Sequence, residues 1–163
     1  MSPHEHRLGI EAPHSHLIQG LSIVVFTFVW MLDSLILSFS IFLNNFLPLI
    51  YRIVLFAVVL IIAFMLIQIS HKTLFKQSEN KDDLITEGIL GHVRNPMYLG
   101  VLLIYLAFIF LSISLISIAI WIIIILIYNK LATFEGNQLE KLFKEKYLEY
   151  KKKVPKWIPR LTK

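Results

Sequence analysis

Cysteine is absent from the 163 residues, which excludes disulfides, thiolate nucleophiles and zinc–thiolate sites. Glycine and proline are scarce, six of each, so long stretches run without a breaker. Charged residues make up only 17% of the chain and hydrophobic residues 56%. The apolar positions gather into runs of about 20 residues or more, long enough to cross a bilayer as helices. Gly88 and Gly91 form neither GxGxxG nor GxxxxGK[ST], so no phosphate-cradling loop is expected. No Ser–His–Asp arrangement can be read either. The chain therefore reads as an all-α integral membrane protein.

The runs set the expected organisation of a single membrane domain. Residues 1–16 are a polar segment with four His, and the apolar run behind them is too long for a signal-peptide core. Residues 17–69 hold two transmembrane helices, Leu17–Phe42 and about Leu49–Ile69, separated by "FLNNFLP". Arg52 near the start of the second is expected to snorkel outward. Residues 70–96 form a polar loop. Residues 97–133 are too long for one crossing and read as a transmembrane hairpin, Met97–Leu111 and Leu115–Thr133, turning at Ser112–Ser114. That makes about four spans, the last two a hairpin. Residues 134–163 follow as an amphipathic interfacial helix and tail. In it Leu139, Leu142, Phe143, Tyr147 and Tyr150 recur at helical spacing, Lys residues take the other faces, and Pro155 and Pro159 end it.

Charge gives orientation. Of 16 basic residues, ten lie in Lys130–Lys163, four between Lys72 and Arg94, and the others are Arg7 and Arg52. With an even number of spans, 15 of the 16 share a side with both termini. By the positive-inside rule that side is cytoplasmic. A basic tail behind a membrane helix suits anionic lipid headgroups better than nucleic acid, so membrane lipids are the expected partners, with no nucleic acid.

Several polar residues are candidates for chemistry. Asp33 sits mid-span, where a carboxylate either lines a polar pocket or fixes helix packing; both readings stand. His71 and His92 lie at the cytoplasmic border. His4, His6, His14 and His16 lack a carboxylate–His spacing that would fix a metal geometry, and no metal site is expected. Pro96 biases Asn95 away from helical geometry and opens the next helix as its first residue. Arg94 and Asn95 would then converge at the mouth of the hairpin, with Tyr98 and Gly100 one turn inside. Arg94 either snorkels to phosphate or lines a pocket. Glu135 is read as closing the last span on the same side, where a carboxylate can complement a helix N-terminus or bind a ligand.

"LITEGILGHVRNPMYLG", then a hydrophobic hairpin, then "EGNQLEKLFKEKYLEYKKKVPKWIP" resembles the isoprenylcysteine carboxyl methyltransferase and phospholipid methyltransferase superfamily. The resemblance runs from Leu84 to Pro159. It rests on Arg94, Asn95, Pro96, Tyr98 and Gly100, then Glu135, Leu139, Phe143, Tyr147, Tyr150, Val154, Pro155, Ile158 and Pro159. The departures are Gly136 for the second residue of a Glu-Glu pair, Lys144 for a Gly, Asn95 for a His, and Leu90-Gly91-His92 for an aromatic-Arg-aromatic stretch.

The resemblance implies an integral-membrane enzyme that uses S-adenosylmethionine and releases S-adenosylhomocysteine. It implies a cofactor site at the cytoplasmic end of the helices, formed by His92, Val93, Asn95, Pro96, Tyr98, Leu99, Gly100 and Glu135. Arg94 and Glu135 are the catalytic candidates; Asp33, His71 and Arg94 are the substrate-binding ones. The acceptor would be hydrophobic or lipid-like and enter from the bilayer: a prenylcysteine carboxylate, a lipid amine or a small thiol. Oligomeric state is not readable. A non-catalytic cofactor- or lipid-binding protein on the same scaffold is the second reading, kept open by Gly136, and a small transporter, suggested by Asp33 and the His-rich N-terminal segment, is the third.

Overall fold

A computed structural model describes residues 12–76 and 84–158. His4, His6 and Pro159 therefore lie outside the described residues. The described chain is helical, without strands. Helix α1 covers Ser15–Met31 and continues as a π-helical turn, Leu32–Leu37. A short 3-10 turn, Phe42–Asn45, leads to α2, Leu49–Lys76. A second 3-10 turn, Gly88–Gly91, precedes α3, Pro96–Ser112. Helix α4, Leu115–Phe143, and the short α5, Glu145–Lys153, complete it. Ser15–Leu37, Leu49–Leu74 and Leu115–Phe143 are each long and apolar enough to span a membrane. The shorter α3, 17 residues, is about 25 Å long at 1.5 Å per residue.

The first span is shorter than its apolar run. The sequence predicts helix to Phe42, but the helix stops at Leu37, and Ser38 turns away with φ +52°. The cause is Asp33. One of its carboxylate oxygens accepts from the Phe39 and Ser40 amides at 3.1 and 3.0 Å, drawing the chain back over the helix end. The other accepts from the Ser40 and Ser114 hydroxyls. Asp33 is thus a packing residue that ties the end of α1 to the α3–α4 turn.

That turn falls at the expected Ser112–Ser114, with Ile113 in the left-handed region. Ser112, Ser114 and Ser117 are buried there, so the polar groups of the turn need partners within the protein. The Leu115 and Ile116 amides donate to the Ser40 carbonyl and hydroxyl, and the Ser117 amide donates to Ser114 Oγ. Arg52 does not reach outward as expected. Its Nη1 donates at 2.9 Å to the carbonyl of Leu111, offering a cation to the C-terminal end of α3, where the helix dipole favours it.

Small residues hold α3 against α2. Ala63 and Ala107 are fully buried, and a Cβ on Gly100 would lie 2.6 Å from Ile67 Cγ1 and 3.1 Å from the Ala63 carbonyl. Close helix approach of this kind is how membrane helices gain packing contacts without a hydrophobic drive between them. On the other side of α3, Phe26, Leu102, Tyr105, Ile109, Ile124, Tyr128 and Leu131 join α1, α3 and α4 in one core. Indole N–H groups inside it are satisfied by helix carbonyls: Trp30 donates to Phe108 and Trp121 to Leu102, both at 3.0 Å. The outer faces of α1 and α2 carry a continuous set of exposed Leu, Ile, Val and Phe, as suits helices facing hydrocarbon.

The predicted boundary at Glu135 is not a helix end. Helix α4 runs on to Phe143, and the break comes at Lys144, with φ +45° and ψ −120°. There the chain folds back, and Tyr147, Tyr150 and Val154 bury themselves against Leu84, Leu139 and Phe143. The aromatic side of α5 thus meets the protein, while Lys151, Lys152 and Lys153 remain exposed.

Candidate functional site

The Arg-Asn-Pro turn forms because the following proline disfavours helical geometry at Asn95; its φ and ψ are −126° and 59°. Pro96 then opens α3, and the Leu99 amide returns to the Asn95 carbonyl. Val93, fully buried, anchors the turn from inside. The tail fastens it from outside. The Arg94 amide donates to the Pro155 carbonyl at 3.0 Å, Asn95 Nδ2 to the Lys156 carbonyl at 3.3 Å, and the Tyr150 hydroxyl to the Leu90 carbonyl at 2.7 Å. Burial first, then the neighbouring Tyr147, pushes the Tyr150 phenol above its ordinary range, the Arg94 charge partly opposing this. Tyr150 stays a donor at any ordinary pH.

Glu135 comes to the turn from the middle of α4. It lies two turns beyond Tyr128, on the side of α4 that meets α3, and its Oε1 accepts from the Tyr98 hydroxyl at 2.5 Å. The Tyr98 and Tyr128 rings stack at 5.5 Å in a tilted pair. Arg94 completes the group from the turn itself. Its Nη1 donates to the Tyr147 hydroxyl at 3.4 Å, and its Nε is buried with no protein acceptor. The structure therefore brings Arg94, Tyr98 and Glu135 to one end of the bundle.

Other predicted residues are placed elsewhere. Asp33 pairs with Ser114, at the far end of α3 from Arg94, so it does not line this site. His71 is exposed near the end of α2. His92 is exposed, and its Nδ1 lies 3.2 Å from the carbonyl of Gly88, on its own turn. Pro96 is buried and Leu99 half-buried in the start of α3. Gly100 is filled by Ile67 and the Ala63 carbonyl; its missing side chain admits a helix and leaves no space for a ligand.

Four residues outside that prediction matter. Lys156 Nζ donates to the Asn129 carbonyl, to Asn129 Oδ1 and to Thr133 Oγ1 at 2.9, 2.6 and 2.6 Å. Trp157 Nε1 donates to the same Oδ1 at 3.2 Å. The tail is thereby tied both to the Arg-Asn-Pro turn and to the helix that carries Glu135. Burial, then the positive charges of Arg94 and Lys151, hold the Lys156 ammonium below the usual lysine range. The sequence signal for Asn129 was an amide inside an otherwise apolar run.

Among the described residues no three His, Asp or Glu side chains group to hold a metal. No curated protein and no solved structure matches the chain. A family model does, over residues 49–146, a stretch that includes the Arg-Asn-Pro turn, Tyr98, Glu135 and the long helix between them. By that match, which spans more than half of the sequence, the chain belongs to the phospholipid methyltransferase family.

Proposed function

We propose that this membrane methyltransferase uses S-adenosylmethionine to methylate a hydrophobic or membrane-associated acceptor: a prenylcysteine-like carboxylate, a lipid amine or a small thiol. The observation that carries the proposal is the meeting of Arg94, Tyr98 and Glu135 at one end of the bundle. The cofactor's amino acid end has an ammonium and a carboxylate, and its ribose has hydroxyls. Glu135 suits the ammonium or the hydroxyls, and Arg94, with its buried and unanswered Nε, suits a carboxylate. The Asn95 turn and the Tyr98 phenol complete the cradle. The residues present therefore fit the group.

When bound, the cofactor supplies an electrophilic methyl group. The chain's own residues bind, align and exclude water, which is most of what a methyl displacement asks of a protein. Tyr98 fixes the Glu135 carboxylate. The Lys156–Trp157 tail, bonded to Asn129, covers the turn. An acceptor amine would also need to lose a proton, and His71 and His92, both exposed at the loop side of the bundle, are the residues available for it. The positive-inside rule supports a cytoplasmic site and termini.

The test is thermal unfolding of detergent-purified protein across a range of S-adenosylhomocysteine concentrations, for wild type and Glu135→Ala. A ligand of the folded state raises stability with the logarithm of its concentration. The expected result is such a rise in wild type and none in a folded Glu135→Ala. A wild type indifferent to millimolar ligand would sink the proposal and leave the non-catalytic scaffold.

A further inference from the structure

Gly136 stands where the resemblance expects a second carboxylate, and the structure shows what fills the space. A Cβ at this position would lie 2.9 Å from the Tyr147 hydroxyl, closer than a Cβ contact tolerates. Gly136 is therefore what lets the Tyr147 phenol settle on α4 beside Glu135. Tyr147 reaches that spot because the chain reverses at Lys144 and α5 folds back. Its side chain is buried, 3% exposed, and its hydroxyl is the acceptor for Arg94 Nη1.

A carboxylate and a phenol hydroxyl can both accept from a guanidinium. They differ in charge. A second carboxylate, besides Glu135, would further offset the Arg94 charge, whereas a neutral phenol orients the guanidinium without adding negative charge. Two observations agree with an unanswered cation. Arg94 Nε is buried without an acceptor, and Lys156, held below the usual lysine range first by its burial, also feels the positive charge of Arg94. A buried donor without a partner is uncommon in a folded protein unless a ligand or ordered water answers it.

We propose that Tyr147 is a positioning residue that orients the Arg94 guanidinium, and that the Gly136–Tyr147 pair leaves Arg94 able to bind an oxyanion of the ligand. This rests on the reading of the site as one that takes S-adenosylmethionine. The oxyanion is either the cofactor's carboxylate or an acidic group on a lipid-like acceptor; the guanidinium fork recognises both by the same paired donors.

The test is calorimetric titration of detergent-purified wild type, Tyr147→Phe and Gly136→Ala with S-adenosylhomocysteine and with its decarboxylated analogue. Dodecyl phosphate is then titrated into protein saturated with S-adenosylhomocysteine. If the cofactor's carboxylate is the anion, wild type prefers S-adenosylhomocysteine over the analogue by tenfold or more, and Tyr147→Phe shrinks that ratio to about threefold or less. If the anion belongs to the acceptor, the ratio is small throughout, and dodecyl phosphate affinity falls about tenfold in Tyr147→Phe. A loss of general packing would weaken both nucleosides alike and leave their ratio unchanged. Gly136→Ala, which displaces the same hydroxyl from the other side, gives the same result should Tyr147→Phe not fold. Wild type that binds S-adenosylhomocysteine, with both ratio and phosphate affinity unmoved in either variant, overturns this role alone. Wild type that binds neither nucleoside overturns the cofactor reading together with it.

Discussion

The Tyr98 hydroxyl and the Glu135 carboxylate, 37 positions apart in the chain, are joined by a 2.5 Å hydrogen bond between α3 and α4. The bond links the two segments on which the resemblance rests, and it gives Glu135 one orientation among several. Hydrogen bonds to a charged group contribute about 1.5–3 kcal/mol. Tyr98→Phe removes the donor while keeping the ring that packs on Tyr128. The expected outcome is an S-adenosylhomocysteine affinity about tenfold weaker, or about 1.4 kcal/mol, with a small change in melting temperature. Calorimetric titration checks it, and an affinity equal to or tighter than wild type would show that Glu135 is not held for the ligand.

Gly100 tests the packing of α3 on α2. A methyl group there meets Ile67 Cγ1 at 2.6 Å and the Ala63 carbonyl at 3.1 Å. The isoleucine can swing away; the carbonyl cannot without moving the helix. Gly100→Ala should destabilise by about 1–3 kcal/mol through overpacking, and adding Ile67→Ala should recover part of the loss. Thermal unfolding in detergent reads both. Full stability in the single variant would mean that the helices are less closely set than the structure has them.

Asp33 separates packing from binding. Its carboxylate collects the Phe39 and Ser40 amides and the Ser40 and Ser114 hydroxyls. Asp33→Ala orphans buried donors at about 1–3 kcal/mol each, so a total loss of about 3 kcal/mol or more is expected. Asp33→Asn should be far milder, because rotated serine hydroxyls can accept from the new amide. The S-adenosylhomocysteine affinity of folded Asp33→Asn should equal that of wild type, since Arg94 and Asp33 attach to opposite ends of α3. A large loss of affinity would return Asp33 to the site.

Local chemistry made some of this legible in the sequence. The apolar runs marked the spans, Pro96 marked the start of α3, and Ser112–Ser114 marked the turn behind it. The end of α1 was hidden, because apolar residues continue to Phe42 and only a carboxylate back-bonding to Phe39 and Ser40 stops the helix. The end of α4 was hidden for the opposite reason. Composition turns polar at Glu135, but a helix leaving the membrane keeps its backbone bonds whatever its side chains face, so the break waits until Lys144. Arg52 and Asn129 take partners at Leu111, Lys156 and Trp157, contacts that no periodicity encodes. Arg94 and Glu135 were readable as a pair from the resemblance; that Tyr147 answers Arg94 needed the fold-back of α5.

Lys144 offers the sharpest check on that fold-back. Its φ of +45° with ψ −120° places an L-residue where only glycine is comfortable, and strain of this kind costs on the order of 1–3 kcal/mol. Glycine is also what the family pattern carries at this position. Against the relief stands the extra freedom glycine gives the unfolded chain, worth about 0.4–1 kcal/mol. The difference favours the substitution, so Lys144→Gly should stabilise by about 1 kcal/mol, whereas Lys144→Ala, which keeps the Cβ, should not. The Lys144 side chain is exposed, so losing its charge should matter little. Thermal unfolding of wild type and the two variants side by side reads the comparison. If alanine and glycine are equally stabilising, the gain comes from removing a cation among the surrounding lysines. If neither stabilises, the reversal at Lys144 is not strained, and the route by which Tyr147 reaches Gly136 must differ from the one described.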